Sequence, residues 1–176
     1  MVGLRSATML ALATAVVLAA CAGQQTGPTF ASFAQAAGPP KAGDARIVVM
    51  RREKGFVGIG DRGVPVKLDD RPLGDLMTGT FVSLDVPAGP HQLSSELWDL
   101  PGVSRHDFNA AAGRTYYFVA RVDDSVKDIY MASAFGGLIG RAIATTATNQ
   151  DHGGITLAPL DEAAARQAMG ELRQAQ

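Results

Sequence analysis

From Ala45 to Val122 the chain repeats one pattern: short runs of β-branched and aromatic residues, each closed by a cluster of turn formers. This rhythm constrains the fold most, because each run is too short for a stable helix and several alternate polar with apolar positions. Ile47-Val48-Val49-Met50 opens the series, and Val64, Val66 and Leu68 continue it. Asp69-Asp70-Arg71-Pro72 then turns the chain into Leu73-Gly74-Asp75-Leu76. Thr80 to Val86 puts Val82, Leu84 and Val86 on one face and Phe81, Ser83 and Asp85 on the other. Pro87-Ala88-Gly89-Pro90 makes a tight turn, His91 to Trp98 returns, and Val103 to Phe108 is a further strand. After Ala112-Gly113-Arg114, Thr115 to Val122 carries the strongest β signal, and Tyr116, Phe118, Ala120 and Val122 are expected to face the core. The expected fold is mostly β, a small antiparallel β-sandwich spanning residues 45–176.

Residues 126–148 break the rhythm. Met131 to Thr148 is apolar and small, with Arg141 its only charge, and Ala132, Gly136, Gly140, Ala144 and Thr148 recur every four residues. That spacing is a candidate helix-packing face of the small-xxx-small kind. The segment reads as a helix packed on its own domain, as an interfacial or self-associating helix, or as a glycine-rich loop. It is too short, and too interrupted by Arg141, to cross a membrane comfortably. Beyond the loop Asn149 to Gly154, Ile155-Thr156-Leu157 is expected to be a short last strand. Asp161 to Leu172 reads as a short charged C-terminal helix, with Asp161 as its N-cap.

The opening residues are of another kind. Arg5 supplies a positive charge, Ala7 to Val17 form an uncharged apolar run, and small residues follow up to Cys21. This is the layout of an export signal. Leu18-Ala19-Ala20-Cys21 resembles the lipobox of bacterial lipoproteins. The resemblance implies that residues 1–20 are removed as a signal peptide and that the Cys21 sulfur carries a diacylglyceryl group. Palmitoyl-type acylation of the new amine would add a further chain, and two or more chains anchor firmly where one is marginal. An ordinary secretory cleavage with an incidental cysteine is the alternative. It is the weaker reading, because the chain's single cysteine stands at the one position where lipidation requires it. Ala22 follows rather than aspartate, which in that family implies the outer membrane, facing the periplasm. Residues 21–44 are poor in charge and rich in Gly, Ala, Gln and Pro, and are expected to be a flexible tether with a coil reach of roughly 25 Å. Within them Phe30 to Ala37 is long enough for a helical turn or two, ended by Pro39-Pro40.

Four stretches in order carry a second resemblance. They are Ala45-Arg46-Ile47-Val48-Val49-Met50-Arg51, Val66 through Gly74, Gly79 through His91 with its Pro-x-Gly-x-His turn, and Ala112-Gly113-Arg114-Thr115-Tyr116-Tyr117-Phe118. Together they resemble a bacterial lipoprotein domain of unknown function similar to PEGA-type domains. Asp70-Arg71 stands where that family tends to have glycine. The resemblance implies a β-sandwich of the cell envelope with no known catalysis.

Composition narrows the function classes. The net charge is -1 with no runs of either sign, which argues against nucleic acid and against a polybasic lipid-binding surface. One cysteine excludes an internal disulfide and a CxxC zinc site. His91, His106 and His152 lack metal-ligand spacing, and no metal or cofactor is expected. Asp123, Asp124 and Asp128 lack the glycine and glutamate of a calcium loop. Gly58 to Gly63 mimics a dinucleotide fingerprint but leads into a strand, so no helix N-terminus faces a phosphate. Ser104 with His106 is the nearest approach to a nucleophile and base, without an orienting third group. Trp98, at a strand end beside Asp99 and Pro101, either plugs the edge of the core, the commoner arrangement, or marks a ligand or partner surface. The resulting expectation is a non-enzymatic lipid-anchored envelope protein that binds or supports an envelope component. Self-association through 131–148 and a small-molecule or glycan-binding module are its variants, and an envelope hydrolase is the least favoured.

Overall fold

β1 (Asp44–Arg51) is buried without a break from Ala45 to Arg51. An unbroken apolar run suits a central strand covered on both sides. Ile47 and Val49 enter a core between two sheets, while Val48 and Met50 enter a second core on the opposite face. The computed structural model describes residues 27–52, 62–98, 102–123, 126, 153–170 and 172–175. In it, one sheet runs in the order β8 (Ile155–Leu160), β7 (Thr115–Val122), β1, β4 (Thr80–Pro87), β9 (Arg173–Gln174). The facing sheet runs β3 (Arg71–Leu76), β2 (Val64–Leu68), β5 (Gly89–Ser95), β6 (Ser104–Ala110). Val66, Leu76, Val82, Leu93, Leu97, Phe118 and Leu157 fill the space between them. The architecture is a small β-sandwich.

The first sheet is mixed rather than purely antiparallel. β1 pairs antiparallel with β4 and parallel with β7. The reason is the path of the chain. Pro87–Pro90 does not close a hairpin within one sheet: β4 and β5 belong to opposite sheets, with only Ala88 between them. The turn at Ala111–Arg114 crosses back, so β7 arrives beside β1 running in the same direction. The Tyr116 hydroxyl accepts the Ala111 amide at 3.0 Å and braces that crossing. The β2–β3 loop is tighter than the four residues read from sequence. Leu68 pairs with Arg71, and Asp69 and Asp70 take φ of 50° and 62°. Two left-handed residues make the two-residue loop whose twist matches a hairpin, and aspartate is among the few non-glycine residues that tolerate that region.

Two expectations about burial need correction. Val82 and Val86 are buried, but Leu84, on the same face, is 44 % exposed. On its outer side β4 pairs with β9 at Thr80 and Phe81, and among the described residues no strand pairs with the middle of β4 on that side. The stretch expected to be a flexible tether is also folded from Gly27 onward. Phe30–Ala37 is a helix, α1, capped by the Thr29 side chain accepting the Ser32 amide and closed by Gly38 at φ 62°. Phe30 and Phe33 pack edge-on against Phe81 at 5.4 and 5.5 Å between ring centroids. Gly27 lies against Gln174, whose carbonyl a Cβ at 27 would overlap, and the Gln174 amide donates to Pro28 O. Residues 27–44 therefore belong to the folded unit. A single aromatic pair at helical spacing was too weak a sign to overrule the Gly, Ala and Pro around it.

The C-terminal helix, α2 (Glu162–Met169), begins at Asp161, whose side chain accepts the Ala164 amide. Ala165, Ala168 and Met169 bury it on the outer face of the five-stranded sheet, in the same core as Phe81, Tyr117 and the α1 phenylalanines. The chain then adds β9, so Ile155–Leu160 is not the last strand. Of residues 126–148 only Val126 is described, 2 % exposed in the core between the sheets. Met131 to Thr148, including Ala132, Gly136, Gly140 and Ala144, lies outside the described residues.

Candidate functional site at the Trp98 end of the sandwich

One end of the sandwich is organised by a buried arginine. Arg51, the last residue of β1, is 2 % exposed, and its guanidinium donates to the Leu76 carbonyl at 3.0 Å and the Arg62 carbonyl at 2.5 Å. β1 is thereby tied to the end of β3 and to the start of β2. The Arg62 guanidinium in turn lies 5.8 Å from the centre of the Trp98 ring, over its face. Trp98 is 87 % exposed and does not plug the core. Its neighbour Leu97 does so, at 2 % exposure. Met77, at the end of β3, is 38 % exposed. Among the described residues these two and Leu84 are the large hydrophobic side chains that face solvent. A tryptophan so placed has a broad apolar ring, one N–H donor and a cation at its face, which suits a partner or ligand with an apolar surface.

Two ion-pair networks stabilise the rest of the frame. Arg46 grips Asp85 across β1 and β4 with two bonds of 2.6 and 2.9 Å, and its third nitrogen donates to Gly38 O at 2.6 Å. It thus holds the end of α1 to the sheet. The Arg46 hydrogen bond draws the Asp85 carboxyl below its ordinary range, against the upward push of burial. At the opposite end, His91 reaches Asp69 Oδ2 at 2.7 Å and Pro87 O at 2.8 Å. Burial pushes the His91 pKa down, but the Pro87 carbonyl and the Asp69 carboxylate together raise it above its ordinary value. Burial likewise pushes Asp69 up, and the Gln92 amide, His91 and Arg71 outweigh it, so the carboxyl is lowered. Sequence reading noted His91 and the Asp69 turn separately. Only the pairing of β2 with β5 brings them together.

The remaining candidates do not assemble into chemistry. Ser104 is buried, and its Oγ accepts the Ile155 amide at 3.2 Å, joining the edges of the two sheets. His106 packs edge-on against Phe118 at 5.3 Å. Asp123 accepts the Thr156 hydroxyl at 2.9 Å, while Asp124, Asp128 and His152 lie outside the described residues. Among the described residues no three His, Cys, Asp or Glu side chains gather as metal ligands. A recess of about 500 Å³ between β7 and α2 was not anticipated. Arg52 and Arg121 flank it over a floor of Val119, Leu160 and Ala168. Leu18, Ala19, Ala20 and Cys21 lie outside the described residues. No helix among the described residues is long and apolar enough to cross a membrane. No family model matches the chain, and no curated protein matches it.

Proposed function

We propose that the chain is a lipid-anchored protein of the bacterial cell envelope, held through acylated Cys21 to the outer membrane on its periplasmic side. Its β-sandwich is a non-catalytic module that binds or supports another envelope component. The observation that carries the reading is the single cysteine at the end of Leu18-Ala19-Ala20-Cys21, directly after an apolar run too short to span a bilayer. The ordered likeness of four stretches to a PEGA-like lipoprotein domain supports it, as does the engagement of Ser104 and His106 in packing and backbone bonding. The mature protein should carry acyl mass on Cys21 and partition into detergent, and Cys21→Ser should abolish both. An unmodified mature chain beginning elsewhere overturns the anchor. Crosslinking in intact envelopes followed by purification should then retrieve one dominant protein.

A second reading, a small-molecule or glycan-binding module, is favoured by the exposed Trp98 ring with Arg62 at its face. Sugars stack on such rings. Quenching or a shift of the single tryptophan's emission on titration with envelope oligosaccharides supports that reading, and an unchanged spectrum removes it.

A further inference from the structure

We infer that the Trp98 end of the sandwich docks on the lipid–water interface of the membrane that holds the protein, with Trp98 and Met77 as the inserted side chains. The inference rests on the reading of Cys21 as the anchored residue, and it specifies what that anchor presents to the bilayer.

Where the chain enters the fold is the first support. Gly27 sits against Gln174 of β9, and β9 pairs with Thr80 and Phe81 at the start of β4. Thr80 pairs with Arg51, Arg51 binds the Arg62 carbonyl, and Arg62 covers Trp98. The entry of the chain and the exposed tryptophan therefore share one end. Six residue steps separate Cys21 from Gly27. Fully extended, they reach about 20 Å at ~3.3–3.6 Å per residue. The long leash expected from composition would have let the domain turn freely, whereas this short one keeps its Trp98 end toward the bilayer. β1, at about 3.3 Å per residue, carries the His91 end a further ~25 Å away.

Chemistry at that end is the second support. Among the described residues, Arg52, Arg62, Arg121 and Arg173 stand there against Asp75, Glu96 and Asp123. Among these described residues the charges nearly balance, which supplies no strong attraction to anionic lipid. The apolar side chains carry the contact instead. Tryptophan prefers the headgroup level, where its ring meets acyl chains and its N–H stays wet.

Trp98 is the chain's single tryptophan, so its emission reports on this end alone. Processed protein is purified from membranes, its mass is read for acylation, and it is reconstituted in phosphatidylethanolamine–phosphatidylglycerol vesicles with or without bromine on the acyl chains. Docking predicts emission at shorter wavelength and loss of most intensity in the brominated vesicles, little changed by salt. Met77→Asp should weaken the quenching. Acylated protein whose Trp98 emission stays that of a solvent-exposed ring overturns the docking and leaves the anchor standing, even where a protein is crosslinked to this end. If the mass shows no acyl group, the anchor reading fails. The unacylated protein added to the same vesicles then decides docking: quenching upholds it, and an unchanged spectrum overturns it.

Discussion

His91 donates through one ring nitrogen to Asp69 at 2.7 Å and through the other to the Pro87 carbonyl at 2.8 Å, so the imidazole ties the β2–β3 turn to the crossing between the sheets. Both partners are acceptors, and only the imidazolium has two donors to satisfy them. The fold therefore favours the protonated ring.

The pH dependence of stability follows from the directions of these shifts. With its folded pKa raised, His91 contributes fully below the unfolded imidazole value of about 6.5, and the contribution is lost as pH rises through the folded value. With their folded pKa lowered, Asp69 and Asp85 contribute above about 3.9, and theirs is lost as pH falls through the folded values. Urea unfolding should show greatest stability near about pH 5 to 6 from these groups. His91→Ala should remove about 1 kcal/mol there and less near about pH 8, the modest size reflecting hydrogen bonds to a half-exposed carboxylate. An identical loss at both pH values would contradict an imidazolium.

Val82→Asp and Leu84→Asp place the same charge on the same face of β4. Val82 is 7 % exposed and Leu84 44 %. The first should cost several kcal/mol, because an unpaired carboxylate enters the core, and the second no more than about 1 kcal/mol. Equal costs would mean that the middle of β4 is covered after all.

Phe30→Ala with Phe33→Ala should detach α1 from Phe81 and Tyr117. Both rings are half-buried, so the pair should contribute about 2–4 kcal/mol. Limited proteolysis in residues 28–43 should accelerate well before the β domain unfolds. No change in cleavage rate would restore the longer tether.

Arg51→Met keeps the bulk at the end of β1 but leaves the Leu76 and Arg62 carbonyls without their donor. A loss of about 1–3 kcal/mol is expected in thermal or urea melts. The Arg62 backbone is then freed, and acrylamide quenching of Trp98 should change in the same variant. Quenching unaltered while stability falls would show that Arg62 is held by other contacts.

What the sequence by itself determined is local. Alternation marked β2 and β7, the unbroken apolar run marked β1, and Asp161 marked the start of α2, because strand faces and caps depend on residues within one or two turns of chain. The string Leu18-Ala19-Ala20-Cys21, on which the proposed anchor rests, is equally local. What only the tertiary structure decided is everything that depends on neighbours distant in sequence. Leu84 carries the same alternation as Val82 and Val86, yet among the described residues the strand beside β4 is the two-residue β9, which ends short of Leu84 and leaves it exposed. Phe30 and Phe33 sit in a stretch with the composition of a linker, and become structural because Phe81 and Tyr117 offer a surface to cover. Leu97 and Trp98 are adjacent and both apolar. Both stand beyond the end of β5 at Ser95, one turned inward and one outward, and burial favoured the side chain that fits between two sheets already filled by Phe118 and Leu93.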